Sequence, residues 1–200
     1  MLTQLSTVKA RLALDPFDLQ FDALLTNAIK AVSVRFDKET NRTFARTVNA
    51  TYEFGADETE IIVPCFPIEG VSKLETKSTE AEGWIEQTGI DFLIRRACVV
   101  SLPFSLYQLS TPNNHQLPGA RLTYTGGYVL PGTTPGAGQT PLPDDLEQAA
   151  VEQVAAWFQN RDKLGLVRIW PHQGTYAQFA QLDLLLEVSA VLKRYERWTI

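Results

Sequence analysis

The stretch TYTGGYVLPGTT, Thr123 to Thr134, decides between two folds. It follows a strand-like segment and sets Gly127, four further residues, then Gly132 with Thr133 and Thr134 behind it. That is one residue short of the phosphate-binding pattern G-x-x-x-x-G-K-[ST], in which backbone N–H groups turn onto phosphate, the lysine reaches the outer phosphates and the hydroxyl holds magnesium. Here the lysine position is Thr133. Pro135 follows Thr134 and disfavours the α conformation where a phosphate loop must run straight into its helix. The GAGQTP farther along is half of a G-x-G-x-x-G and lies in the same loop. The sequence therefore predicts a junction that closes a strand, with no nucleotide site.

Working outward, the residues before this junction have a β texture. TYEF, EIIVP, GVSKLE, GWIEQ, DFLIRR, CVVSL and ARLTYT are short runs between about Asn41 and Thr125, separated by Gly, Pro, Asp and Asn. Six or seven such strands, following one another without helices between them, predict an antiparallel sheet or small barrel. They exclude the βαβ order that a Rossmann or phosphate-loop sheet requires. After the junction, residues 126–142 belong to a loop with five glycines and four prolines within GGYVLPGTTPGAGQTPLP, expected to hold no helix or strand of its own.

Helical periodicity flanks the β region. Ser6 or Thr7 caps a short first helix with Val8, Leu12 and Leu5 on its apolar face. Asp15 as N-cap and Pro16 as first residue then predict a long second helix, with Phe21, Leu24, Leu25, Ala28, Ile29, Val32 and Phe36 at spacings of three and four. Pro143, Asp144 and Asp145 open a third, its acids suiting the helix dipole and its apolar face running through Leu146, Ala149, Ala150, Val154 and Trp157 toward a C-cap at Gly165. A fourth runs from about Phe179 to Tyr195, through Leu182, Leu185, Leu186, Val188, Ala190, Val191 and Leu192. The expectation is an α+β fold. Residues 1–40 and 143–200 build a helical bundle of two N-terminal and two C-terminal helices as one domain, and an antiparallel β region, 41–125, is inserted into it.

Composition narrows function mainly by exclusion. Two hundred residues, 44% apolar and 20% charged, describe an ordinary folded chain. A net charge of −5 argues against wrapping nucleic acid through the whole surface, and supplies no general substitute for the missing lysine. Cys65 and Cys98 stand apart from each other and from histidine, so two thiols in a reducing compartment are expected, not a metal or redox centre. The opening MLTQLSTVKARLAL lacks the basic region and apolar run of a signal peptide, and no apolar run suits a membrane, so a cytosolic start is expected. His115 and His172 lie in loop-like sequence without an orienting carboxylate or serine, and no metalloprotease, nucleophile-elbow or calcium-loop motif occurs. Asp144 and Asp145 read as helix N-terminal acids before metal ligands. The expectation is no catalytic residue, no cofactor and no metal.

The order of these pieces resembles the head–tail connector, or adaptor (head completion), family of tailed bacteriophages and prophages. TQLSTVKARLAL matches its opening helix. Asp22, Leu24, Leu25 and Ile29 match the second, where the family has an Asp and paired aliphatics. A strand ending in Tyr124, Gly126, Gly127 and Tyr128 leads through Pro143, Asp145, Leu146 and Ala149 into a helix bearing Trp157. The resemblance spans nearly the whole chain, although the β region and the Gly/Pro loop are longer than in the shortest connectors. It implies a structural virion protein of the neck, assembled in the host cytoplasm into a ring, twelve-fold in the family. Such a ring lies under the portal, extends the channel through which double-stranded DNA passes without sequence-specific binding, and serves as docking platform for stopper or tail-terminator proteins. A tail terminator or other neck ring protein is the neighbouring alternative, and a small cytosolic nucleotide-binding enzyme the alternative of another class.

Two segments are candidate interfaces. The C-terminal VLKRYERWTI offers Lys193, Arg194, Tyr195, Arg197, Trp198 and Ile200 for docking into the portal, an aromatic anchor flanked by cations being usual at interfaces. The same residues also read as cations satisfying a helix C-terminus, with Trp198 packed on its own subunit. The Gly/Pro loop either becomes ordered on a neighbour or remains a solvated connector.

Overall fold

The computed structural model describes residues 1–109, 118–161 and 183–198. His115, Gly165, His172 and Ile200 lie outside them. The fold is α+β, with antiparallel sheets and, among the described residues, no barrel. The chain divides into two compact units: Met1–Thr40 with Leu142–Glu196, and Asn41–Pro141 with Arg197–Ile200.

The first unit contains α1 (Leu5–Arg11), α2 (Asp22–Glu39), α3 (Asp144–Gln159) and α4 (Leu186–Lys193). Leu25, Ile29, Val32 and Phe36 form the buried stripe of α2 at the spacings the sequence predicts, each contributing roughly 1.5–3 kcal/mol. α3 packs against the other three helices and is buried over most of its circumference, from Leu146 to Phe158. Its Gln153 is 1% exposed, and its Oε1 accepts the Leu185 N–H at 2.9 Å. Arg11 forms a two-point pair with Glu152 at 2.9 Å, which holds that carboxyl below the usual range.

Helix starts differ from the sequence expectation, for local reasons. α1 begins at Leu5 with Gln4 as N-cap, so Ser6 and Thr7 lie inside it. α2 begins at Asp22 and not at Asp15. The carboxylates of Asp15 and Asp18 bond the N–H groups of Phe17 and Gln20, both at 2.9 Å, forming turns that compete with the helix. Lys9, 4% exposed, draws in the Pro16 and Asp18 carbonyls at 3.1 and 2.7 Å while pairing with Asp22 at 2.5 Å. Phe21 then sits edge-on to Phe158, ring centroids 5.2 Å apart, and fixes where the helix begins. α3 stops at Gln159 with Asn160 as C-cap. Of the expected fourth helix, residues 183–185 are not helical and 179–182 lie outside the described residues. Leu185 is extended because its N–H is held by Gln153.

The second unit holds β1 (Thr47–Gly55), β2 (Glu60–Ile62), β3 (Ile68–Lys77), β4 (Ile85–Glu86), β5 (Leu93–Arg95), β6 (Val99–Ser101), a 3-10 turn (Leu106–Leu109), β7 (Gly119–Gly126), β8 (Tyr128–Val129) and β9 (Thr140–Pro141). One antiparallel sheet has the order β1-β7-β3-β4 and another β2-β6-β5. β7 is central to the first, and its side chains alternate: Ala120, Leu122 and Tyr124 are buried, while Arg121 and Thr123 face the other way. Phe54, Ile61, Val63, Leu74 and Val100 complete the core with them. On the opposite face Arg121 pairs with its cross-strand partner Glu75 at 2.9 Å, under the Trp84 ring. The expectation that residues 126–142 hold no strand is corrected: β8 pairs in parallel with β9, Tyr128 opposite Thr140. The Tyr128 backbone already runs beside residues 44–46, giving and taking hydrogen bonds, so Thr140 and Pro141 extend an existing ladder.

Candidate functional site

The Gly126–Tyr128 junction is built from close backbone contact. Gly126 ends β7 where a Cβ would stand 2.5 Å from the Cys65 carbonyl oxygen and 2.9 Å from that of Pro67. Gly127 has φ +99°, and its Cβ would meet the Ala45 carbonyl oxygen at 2.7 Å and Cys65 Sγ at 2.8 Å. Its N–H donates to Pro67 O at 2.9 Å, and the Tyr128 N–H donates to Phe44 O at 2.8 Å. The Gly127 and Tyr128 amides are thus committed to the protein's own carbonyls and do not face a phosphate. Gly132, also at positive φ, turns the chain so that the Thr133 N–H reaches Leu130 O at 3.3 Å.

Around the junction sits a buried cation that the sequence reading missed. Arg42 is 3% exposed and lies over the rings of Phe66, Phe44 and Tyr128, with its guanidinium carbon 3.4, 4.7 and 5.3 Å from their centroids. It also donates to the Phe66 carbonyl. Phe44 and Tyr128 themselves stack at 6.5 Å. Cation–π contact in a desolvated site is worth about 2 kcal/mol, so this group holds the strand end and the segment before β1 together. The aromatic residues of NRTFAR and TGGY are its only trace in sequence.

Tyr124 is fully buried, and its hydroxyl accepts the Cys65 N–H at 3.1 Å. Burial pushes its phenol up to about 12, against an ordinary value of 10.0. The folded chain thus keeps the phenol neutral to higher pH than the unfolded chain. Its contribution is complete below pH 10 and lost as pH rises toward 12, roughly 2–3 kcal/mol in all. Urea unfolding at stepped alkaline pH should show this fall, and Tyr124→Phe should remove it; an unchanged profile in the variant would refute the assignment. Below pH 10 Tyr124→Phe also costs about 1–3 kcal/mol, because the Cys65 N–H loses its acceptor, and this cost shrinks as the native chain loses stability toward pH 12.

The other signature residues serve α3. Pro143 is its N-cap, and Leu146 and Ala149 are buried along it. Asp145 accepts the Tyr195 hydroxyl at 2.7 Å and meets Arg194 at 3.4 Å. Trp157 is half-buried, its indole N–H enclosed without a partner among the described residues. The C-terminal candidates therefore separate. Arg194 and Tyr195 are tied to Asp145. Arg197 is held within the second unit, donating to Ile62 O at 2.6 and 3.1 Å and to the Tyr52 hydroxyl at 2.7 Å. Lys193 is exposed, and Trp198 is 80% exposed, so the reading in which Trp198 packs on its own subunit does not hold. Ile200 lies outside the described residues. Among the described residues no group of three His, Cys, Asp or Glu could hold a metal ion, and no helix is long and apolar enough to cross a membrane. Cys65 is buried and Cys98 half-buried, and neither is in a disulfide.

Together these features define a class of α+β protein in which a β unit is inserted between the second and third of the four described helices and closes on a Gly-Gly-Tyr junction. Two solved structures share the fold. A chain from the neck of an empty GTA particle, computed with C6 symmetry, is 15% identical, with TM-score 0.55 over 98% of this chain and 89% of that one. A chain from the virion of a native gene transfer agent (GTA) particle is 16% identical, with TM-score 0.56 and the same coverage. At such identities the likeness is one of fold. No family model matches the chain, and no curated protein matches it in sequence.

Proposed function

We propose that this chain is a structural, non-enzymatic neck protein of a phage-like particle, a connector subunit that forms a ring between portal and tail. The observation that carries the reading is the end-to-end likeness of fold to a chain from a particle neck, covering 98% of this chain. It agrees with the order of motifs in the sequence. A closed ring needs two unlike surfaces per subunit that meet head to tail. A net charge of −5 suits a channel through which duplex DNA slides, since numerous phosphate contacts would hold the DNA in place. In this reading the portal-docking candidates narrow to Trp198 with Ile200 beyond it and, separately, Lys193, because Arg194, Tyr195 and Arg197 already serve their own chain.

The test uses heads that carry a portal but lack neck proteins. Purified full-length protein should co-sediment with them and add a ring visible by electron microscopy. Trp198→Ala should weaken that binding about tenfold or more with the melting temperature unchanged, as expected for an exposed anchor. Binding to tail tubes in place of portals would assign the chain as a tail terminator. Binding to neither, together with nucleotide turnover, would sink the neck reading.

A further inference from the structure

Two exposed apolar tips stand out in the described residues, one in each unit. The first is the segment between α1 and α2. Every residue from Asp15 to Gln20 is exposed, with Phe17 at 90% and Leu19 at 73%. Large apolar side chains on a solvent-facing segment normally collapse or move, yet this one is fixed from beneath by Lys9 and from within by the Asp15 and Asp18 turns. Its remaining charge is acidic. The second tip is the β5–β6 hairpin at the edge of its sheet, where Phe92 is 41% and Leu93 57% exposed, with exposed Asp91 before them and exposed Arg95 and Arg96 after them. This tip is also held in place. Arg96 and Ala97 take left-handed φ values of 52° and 54°, and the Ala97 carbonyl is bound by the Ile68 N–H at 2.7 Å. Two consecutive left-handed residues are what a two-residue hairpin turn requires, and the Cys98 N–H closes this one onto the Arg95 carbonyl at 3.1 Å. Arg95 pairs with Glu60, whereas Arg96 has no ion pair among the described residues.

We infer that these tips form the contact between neighbouring copies: the Phe17–Leu19 segment of one subunit seats against the Phe92–Arg96 hairpin of a second copy of this chain. The occupant is chosen by complementarity. One surface is apolar and acidic; the other is apolar and carries at its turn Arg96, a cation without an ion pair among the described residues, and each is pre-organised, so little conformational entropy is lost on contact. The two surfaces are unlike, so the contact is heterologous, the kind that closes rings and not two-fold dimers. This rests on the neck-ring reading above and supplies its missing subunit interface.

Two full-length variants test it, Phe17→Cys and Leu93→Cys, each with Cys98→Ser and only one carrying a size tag. They are mixed, assembled on portal-bearing heads and oxidised. A disulfide-linked pair containing one of each is expected, and none from either variant alone. Phe17→Ser and Arg96→Glu, both at exposed positions, should each weaken ring formation about tenfold or more while leaving the melting curve in place. Added salt should weaken assembly of the native chain. Rings that form without the mixed disulfide, a Phe17→Cys subunit linking to its own kind, or a link from that position to the portal would overturn the pairing and leave the connector reading standing. A native chain that forms no ring with or without heads would overturn both.

Discussion

Replacing Gly127 with alanine is expected to destabilise the β unit by about 3 kcal/mol or more, without any effect traceable to a nucleotide. At φ +99° an alanine is strained, and its Cβ would overlap the Ala45 carbonyl oxygen at 2.7 Å and Cys65 Sγ at 2.8 Å. Neither neighbour can yield cheaply. The residues beside Ala45 are bonded to Tyr128, and Cys65 is buried with its thiol against the Ala45 and Gly126 carbonyls. Left-handed strain costs about 1 kcal/mol, and forcing segments apart in a packed core costs about 1–3 kcal/mol more. Gly126→Ala should behave similarly, because its Cβ would meet two carbonyl oxygens at under 3.0 Å. Thr133→Ala and Thr134→Ala, at exposed positions of the would-be phosphate loop, should stay within about 0.5 kcal/mol of the native chain. Urea unfolding compares the four. A phosphate loop would give the reverse pattern, with tolerated folding and lost ATP- or GTP-dependent melting, so a stable Gly127→Ala variant would refute the junction.

What the sequence could disclose depended on how far apart the deciding atoms lie along the chain. β7 was legible because alternation puts Ala120, Leu122 and Tyr124 on one face within a single run. The Leu25–Phe36 stripe of α2 was legible for the same reason at the helical period. The start of α2 was misread because Asp15 and Pro16 are valid local start signals, overruled by Lys9, which lies on the previous helix. A lysine within TVKARL, followed by three aspartates, is the signal that would have found it. The Gly-Gly-Tyr junction was recognised as punctuation from the absent lysine and the following proline. Its partners, Cys65 and Pro67 on one side and Phe44 and Ala45 on the other, come from segments about 60 and 80 residues away, and local pattern carries no trace of such contacts. The C-terminal candidates were grouped by their neighbourhood in sequence and separated by geometry. Arg197 and Trp198 are adjacent, yet one is bound to Ile62 and Tyr52 while the other is exposed.

Lys9→Met should cost about 3 kcal/mol in the helical unit, a fall in melting temperature of roughly 6–12 °C for a chain of this size. The ammonium is 4% exposed and meets three oxygens: Pro16 O at 3.1 Å, Asp18 O at 2.7 Å and Asp22 Oδ1 at 2.5 Å. Methionine fills a similar volume, so the loss comes from the stranded acceptors and not from a cavity. The cost falls at the low end for a broken buried pair because the Asp22 side chain is 26% exposed and regains some hydration. Asp22→Asn should be milder, about 1–2 kcal/mol, since Lys9 keeps both carbonyls. A second consequence follows from where those carbonyls lie. They belong to the segment that displays Phe17 and Leu19, so Lys9→Met should release it and lower ring assembly even at temperatures where the helices remain folded. Phe17→Ser, by contrast, should lower assembly with no change in melting. Hydrogen exchange at residues 15–20 separates the two mechanisms: protection there should drop in Lys9→Met and persist in Phe17→Ser. A Lys9→Met protein with native melting and native protection at these amides would show that the buried ammonium does not hold the segment.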